Sequence, residues 1–221
     1  MNRRILAGTF LLLGVIGGCG APSAERRPVT ATPTPVAETA AQRCAPALLA
    51  PGFRRDDGYS GDLTPSQYSA SADVQAALLY DQYQAGYRTV LTALPPPSSP
   101  PAAQSASAPP GAPQSAEVFA SCVSMLFAGD AQAARFLSSY RSLRGQAGDL
   151  VQSFDPGKVD TLTEVIAYRE HGQDFHAYGI TNTEVIELAG RAGPRLFIAT
   201  VAGGAPTVDR ARALAEAMRN G

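Results

Sequence analysis

The second half of the chain limits the fold most, because its apolar stretches are separated only by brief turns. Residues 162–169 alternate as a strand, His171-Gly172-Gln173-Asp174 reads as a turn, and residues 175–180 return. Residues 184–190 and 195–202 form the next pair, joined around Ala192-Gly193-Pro194. A parallel crossover needs a dozen or more residues, so links this short dictate antiparallel hairpins. Two amphipathic helices accompany them. Residues 130–144 place Ala133, Phe136, Leu137, Tyr140 and Leu143 on one side, and residues 207–219 do the same with Val208, Ala211, Leu214, Ala215 and Met218. Arg135, Arg141 and Arg144 lie off the first helix's apolar side and are expected to meet water.

Earlier in the chain, Thr64-Pro65 reads as an N-cap followed by proline at the first helical position. A helix over 72–85 is expected next, stopped by Gly86. Strands are expected over 87–94 and 117–127, the second with Phe119, Val123, Met125 and Phe127 on one face. The fold class is therefore α+β, a mostly antiparallel sheet packed by two or three helices, with its other face partly wet. One segment interrupts it: residues 95–114 hold eight prolines in twenty residues and no charge. This segment reads as a flexible insertion, a tolerated loop rather than a docking ligand for a proline-recognising partner.

The N-terminus reads as a targeting segment. Arg3 and Arg4 precede an uncharged run over 5–18, too short for a membrane span of about 20 residues. The run ends in Ile16-Gly17-Gly18-Cys19, which resembles the lipobox of bacterial lipoproteins. The resemblance implies cleavage before Cys19 and acylation of its thiol, palmitate included. It also implies an extracytoplasmic domain held to the lipid bilayer, since two or three acyl chains anchor stably where one does not. Gly20 follows the cysteine instead of an aspartate, which leaves the outer membrane open in a two-membrane cell. With Cys19 taken by lipid, Cys44 and Cys122 remain as an even pair in an oxidising setting. They are expected to form a disulfide closing a loop of roughly 78 residues, worth about 4 kcal/mol in the chain-entropy model. Residues 1–18 are thus the signal peptide, 19–43 the lipidated cysteine with a disordered Ala/Pro/Thr-rich tether, and 44–221 a single domain.

A second resemblance covers the C-terminal third. Glu187-Leu188-Ala189-Gly190-Arg191-Ala192-Gly193 leads into the apolar strand Leu196-Phe197-Ile198-Ala199-Thr200 and, after a glycine break, an alanine-rich terminal helix. Together with the strand-then-helix unit over 123–144, this is similar to PsbP/Mog1-like domains of bacterial lipoproteins and sensor-like modules. The resemblance implies an α-β-α sandwich and a binding or assembly role without catalysis.

The chain carries little that points to chemistry. Net charge is −1, the basic residues are scattered, and no basic run or aromatic platform argues for nucleic acid. Tyr80, Tyr83 and Tyr87 recur at helical spacing as a candidate binding patch, although a half-buried helix has the same spacing. Both histidines fall in Glu170-His171-x-x-Asp174-x-His176, where His171, Asp174 and His176 are candidate zinc ligands. A strong shell needs a further histidine or free cysteine, and ordinary turn residues explain the cluster better. Gly-x-Ser-x-Gly is absent, and the cysteines are better explained by pairing than by thiol catalysis. The expected function is a membrane-anchored envelope module, non-catalytic and without cofactor, binding a small ligand or sensing one. The alternative is a structural lipoprotein that engages an envelope protein, and the third reading is a metal-dependent hydrolase using His171, Asp174 and His176.

Overall fold

A computed structural model describes residues 34–49, 51–93, 119–146, 148–175, 180–203 and 206–220. Cys19, the leader around it and the proline-rich insertion fall outside the described residues. All of the described residues belong to one unit, Thr32–Gly221. In chain order the helices are α1 (Thr34–Gln42), α2 (Pro65–Tyr68), α3 (Ala72–Tyr80), α4 (Asp130–Gly145) and α5 (Val208–Arg219). The strands are β1 (Arg54–Arg55), β2 (Gly61–Asp62), β3 (Tyr83–Thr92), β4 (Phe119–Phe127), β5 (Val151–Ser153), β6 (Thr163–Phe175), β7 (Ile180–Ala192) and β8 (Arg195–Gly203). They form one sheet in the order β1-β3-β4-β8-β7-β6-β5, with β2 also on β3, and every pairing is antiparallel. The α+β class and the mostly antiparallel sheet are as the sequence implies.

Helices lie on both faces of this sheet, so the expected wet face is largely covered. On one face α5 sets Ala211, Leu214, Ala215 and Met218 against Phe197, Ala199 and Val201. On the other, α4 sets Ala133, Phe136, Leu137 and Tyr140 against Met125, Phe127, Leu196 and Ile198. Phe136 packs between Phe127 and Tyr140, at 5.3 and 6.2 Å between ring centroids.

The largest departure from the sequence reading is at the N-terminal edge of the domain. Residues 34–42, expected to be tether, form α1 against β3 and β4. Ala37, Ala40 and Ala41 recur at helical spacing and are fully buried, since small side chains let a helix approach a sheet closely. Just after α1, Cys44 is bonded to Cys122 on β4, with 6.3 Å between their Cα atoms. The disulfide is the pair the sequence implied, and it fastens the new helix to the centre of the sheet.

Two further boundaries move. The helix expected over 72–85 ends at Tyr80, because Gln82 takes a left-handed conformation (φ 55°) and Tyr83 starts β3. Gly86 is then a strand residue over which Tyr83 lies: a Cβ there would meet the Tyr83 hydroxyl at 2.5 Å. The turn expected at residues 171–174 is instead absorbed into β6 as an irregularity around Gly172 (φ 67°), with pairing to β7 shifted on either side of Gln173. Four expected strands thus become three long ones.

Replacing both cysteines of the bond by alanine is expected to lower stability by about 4 kcal/mol in urea denaturation. Hydrogen exchange should then accelerate first in α1 and leave β7–β8 protected. Uniform loss of protection across both regions would show that the bond does not pin α1.

Candidate functional site

The helix-covered face that carries α4 is not fully filled. Between the C-terminal half of α4 and the α2–α3 segment lies an open groove of about 460 Å³. Local sequence builds its first wall: Thr64 accepts from the Gln67 amide at 3.3 Å while its own N–H donates to Gln67 Oε1 at 2.8 Å. This capping box fixes the short α2 and delivers Tyr68 to the groove, with Ser71 and Val74 beside it. Tyr140, Leu143 and Arg144 of α4 form the opposite wall. The floor is the sheet: Arg88 on β3, Ser121 and Val123 on β4, Ile198 and Thr200 on β8, and Glu187 on β7. Depressions of about 410 and 420 Å³ border α4 elsewhere, lined in part by Phe154 and Tyr168 and by Arg135 and Glu164. Neither takes lining from Tyr140, Arg144 or Glu187.

At one end of the groove sits a buried charged cluster. Glu187, 6% exposed, accepts from the Tyr140 hydroxyl at 2.6 Å and from Arg144 Nη2 at 2.7 Å, with Arg144 Nε 3.3 Å from its other oxygen. Arg144 also pairs through Nη1 with Glu170, which is 7% exposed. That contact is an ion pair without hydrogen-bond alignment, so Glu170 Oε1 lacks an aligned donor. Charge-assisted bonds in this buried setting are stronger than their surface counterparts.

The environment decides the protonation states. Burial pushes the Glu170 carboxyl above its ordinary range; Arg144 pulls it back and the charge of Glu187 adds to the rise. Burial, and then Glu187, hold the phenols of Tyr140 and Tyr68 well above the usual tyrosine range, so both remain protonated donors. Burial works against the charge on Arg144, but Glu187, Tyr140 and Glu170 more than restore it.

The residues singled out in the sequence do not converge here. Tyr80 is 77% exposed at the end of α3, beneath the Arg135 guanidinium at 6.0 Å. Tyr83 packs edge-on to Phe127 at 6.1 Å and donates to the Leu63 carbonyl; its hydroxyl is pushed up to about 12 by burial and by Asp62. Tyr87 lies on the opposite face, buried against Ala37 and Ala41, and accepts from Arg55 Nη2 at 2.8 Å. A pairing irregularity between Tyr83 and Ala85 turns the two strand tyrosines to different faces, so the expected patch does not exist. His171 stands on β6 rather than in a turn, with Nδ1 3.6 Å from Glu184 Oε1, which also accepts from Arg169 Nη1 at 2.7 Å. His176 and the side chain of Asp174 lie outside the described residues. Among the described residues no three His, Cys, Asp or Glu side chains gather as metal ligands.

The groove residues were missed, and Arg144 was assigned to water. Arg135 was too, yet its Nε pairs at 2.9 Å with Asp81, which is buried. The available signal was Glu187 itself, a charge inside the apolar run Val185-Ile186-Glu187-Leu188-Ala189.

No family model matches the chain, and neither does any curated protein. Among solved structures, it is similar to the extracellular domain of PknH from Mycobacterium tuberculosis, with a TM-score of 0.49 and 11% sequence identity. The similarity covers 80% of this chain and 88% of that one.

The cluster has a pH signature. Because the folded-state pKa of Glu170 is raised, its contribution to stability is complete below the unfolded carboxyl range of about 4.3. That contribution is lost as pH climbs through the folded value. Glu170→Gln should therefore flatten the stability profile above that range and leave neutral-pH stability equal or higher. A profile that steepens, or a variant that loses stability at neutral pH, would contradict this.

Proposed function

We propose that the domain is a non-catalytic ligand-binding or sensor-like module, held outside a membrane by lipidated Cys19, with the groove beside α4 as its binding site. The groove carries this reading. It has the size of a small-molecule site, a half-apolar lining and a few convergent polar groups held by a rigid network. Its phenols are held protonated, and both oxygens of Glu187 already accept hydrogen bonds. Export is supported by the buried disulfide, which persists in oxidising compartments. A PsbP/Mog1-like kinship belongs to the same proposal and rests on the β4–α4 unit and the β7–β8–α5 terminus.

Anchoring is read directly by acyl labelling, which Cys19→Ser should abolish. Ligand binding is read by recovering the full-length protein from membranes and profiling the small molecules that accompany it. One species should co-purify at near one-to-one ratio, and Thr200→Trp, which fills the groove, should deplete it by about tenfold, roughly 1.4 kcal/mol of affinity. Equal recovery from both proteins would place the function elsewhere, with a protein partner as the competing reading.

A further inference from the structure

The groove's hydrogen-bonding capacity is lopsided. Its one lining carboxylate, Glu187, has both oxygens engaged by Tyr140 and Arg144. Free capacity lies beside it along one cross-strand row, where Thr200 is the direct partner of Glu187 and Ser121 the direct partner of Thr200, each step a spacing of about 5 Å between Cβ atoms. Ser121 is only 8% exposed, yet neither hydroxyl has a hydrogen-bond partner among the described residues. Both hydroxyls therefore open into the groove and can donate to or accept from whatever enters it.

Arg88 lies diagonally across from Ser121, since Arg88 pairs with Val123 and Val90 with Ser121. Its Nε donates to the Tyr59 carbonyl at 3.1 Å, while no carboxylate pairs with it among the described residues. The planar end of its guanidinium, which takes carboxylate or phosphate in a two-pronged geometry, is therefore unclaimed.

From these observations we infer that the groove takes a small organic anion, whose carboxylate or phosphate head lies on Arg88, Ser121 and Thr200 and whose apolar body lies along Val74, Val123 and Ile198. The inference rests on the groove being a binding site at all. Competing ligand classes fit less well. A cation needs a free carboxylate, and the one in the lining is occupied by Tyr140 and Arg144; an uncharged ligand leaves the end of the Arg88 guanidinium unanswered. The Arg144 end is neutralised by its own carboxylates, so Arg88 is the charge left to be answered.

The test is a calorimetric titration of the full-length lipidated protein in nanodiscs, with empty discs as blanks. The probes are hexanoate, hexyl phosphate, hexanol and hexylamine. The proposal expects one saturable site for at least one of the two anions, at least about tenfold tighter than for hexanol or hexylamine. Whichever anion binds more tightly identifies the head group. Arg88→Gln should weaken that anion by about tenfold with the urea midpoint unchanged, and Ser121→Ala with Thr200→Val should weaken it further. Thr200→Trp should weaken binding of every probe by at least about tenfold. If hexanol or hexylamine matches the anions, or Arg88→Gln changes nothing, the anion inference is overturned while the groove reading stands. If no probe binds even to the wild-type chain, the inference fails; if no co-purifying species is lost on Thr200→Trp either, both readings fail.

Discussion

Arg144 sits between two buried carboxylates, and the helix-side architecture depends on that placement. Its guanidinium joins α4 to Glu187 on β7 and Glu170 on β6, while its plane lies 5.5 Å from the Tyr140 ring one turn earlier. Two carboxylates buried with a single guanidinium would be strongly unfavourable without it, because removing one partner of a buried pair strands an uncompensated charge. Apolar side chains of equal volume would secure α4 at least as well. What the charged cluster adds is a groove end of fixed polarity, with Tyr140 locked as a donor and Glu187 locked as an acceptor. The side chains of Arg88 and Ser121, by contrast, line the groove with hydrogen-bonding capacity not used within the described residues.

The opposite face follows a different rule. There α1 closes on the sheet through Ala37, Ala40 and Ala41 and α5 through Ala211, Leu214, Ala215 and Met218, and the Cys44–Cys122 bond holds α1, whose buried apolar area is small. Alanines contribute little transfer free energy each, so a helix that packs on three of them gains much of its persistence from the covalent link. The two faces thus divide the work: one is stapled and packed tight, while the other is pinned by charge and left with an opening.

How far this was legible from the residues varies along the chain. The α4 and α5 faces were readable because Phe136, Leu137, Leu214 and Met218 carry a strong helical period, and β4 and β8 because their apolar runs are long. Cys44 and Cys122 were readable by counting. By contrast, α1 was hidden because Thr, Pro and Ala look like a linker until a sheet and a disulfide are supplied. Gly86 reads as a helix stop in sequence, whereas its role is to admit the Tyr83 ring. His171-Gly172-Gln173-Asp174 has the composition of a turn, and only pairing with β7 holds it in a strand. The site was least visible of all. Arg144 and Glu187 are 43 residues apart in sequence, and nothing local announces that an arginine off the apolar stripe of its helix will turn inward.

The central claim is that Arg144 and Glu187 are energetically one unit. A double-mutant cycle on Arg144→Met and Glu187→Gln, read by urea denaturation at neutral pH, measures this most directly. The structure predicts a coupling of about 1–3 kcal/mol, with the double variant more stable than the two single losses sum to. Strictly additive losses would contradict the account, because Arg144 and Glu187 would then stabilise the protein independently and not as the hinge of the groove.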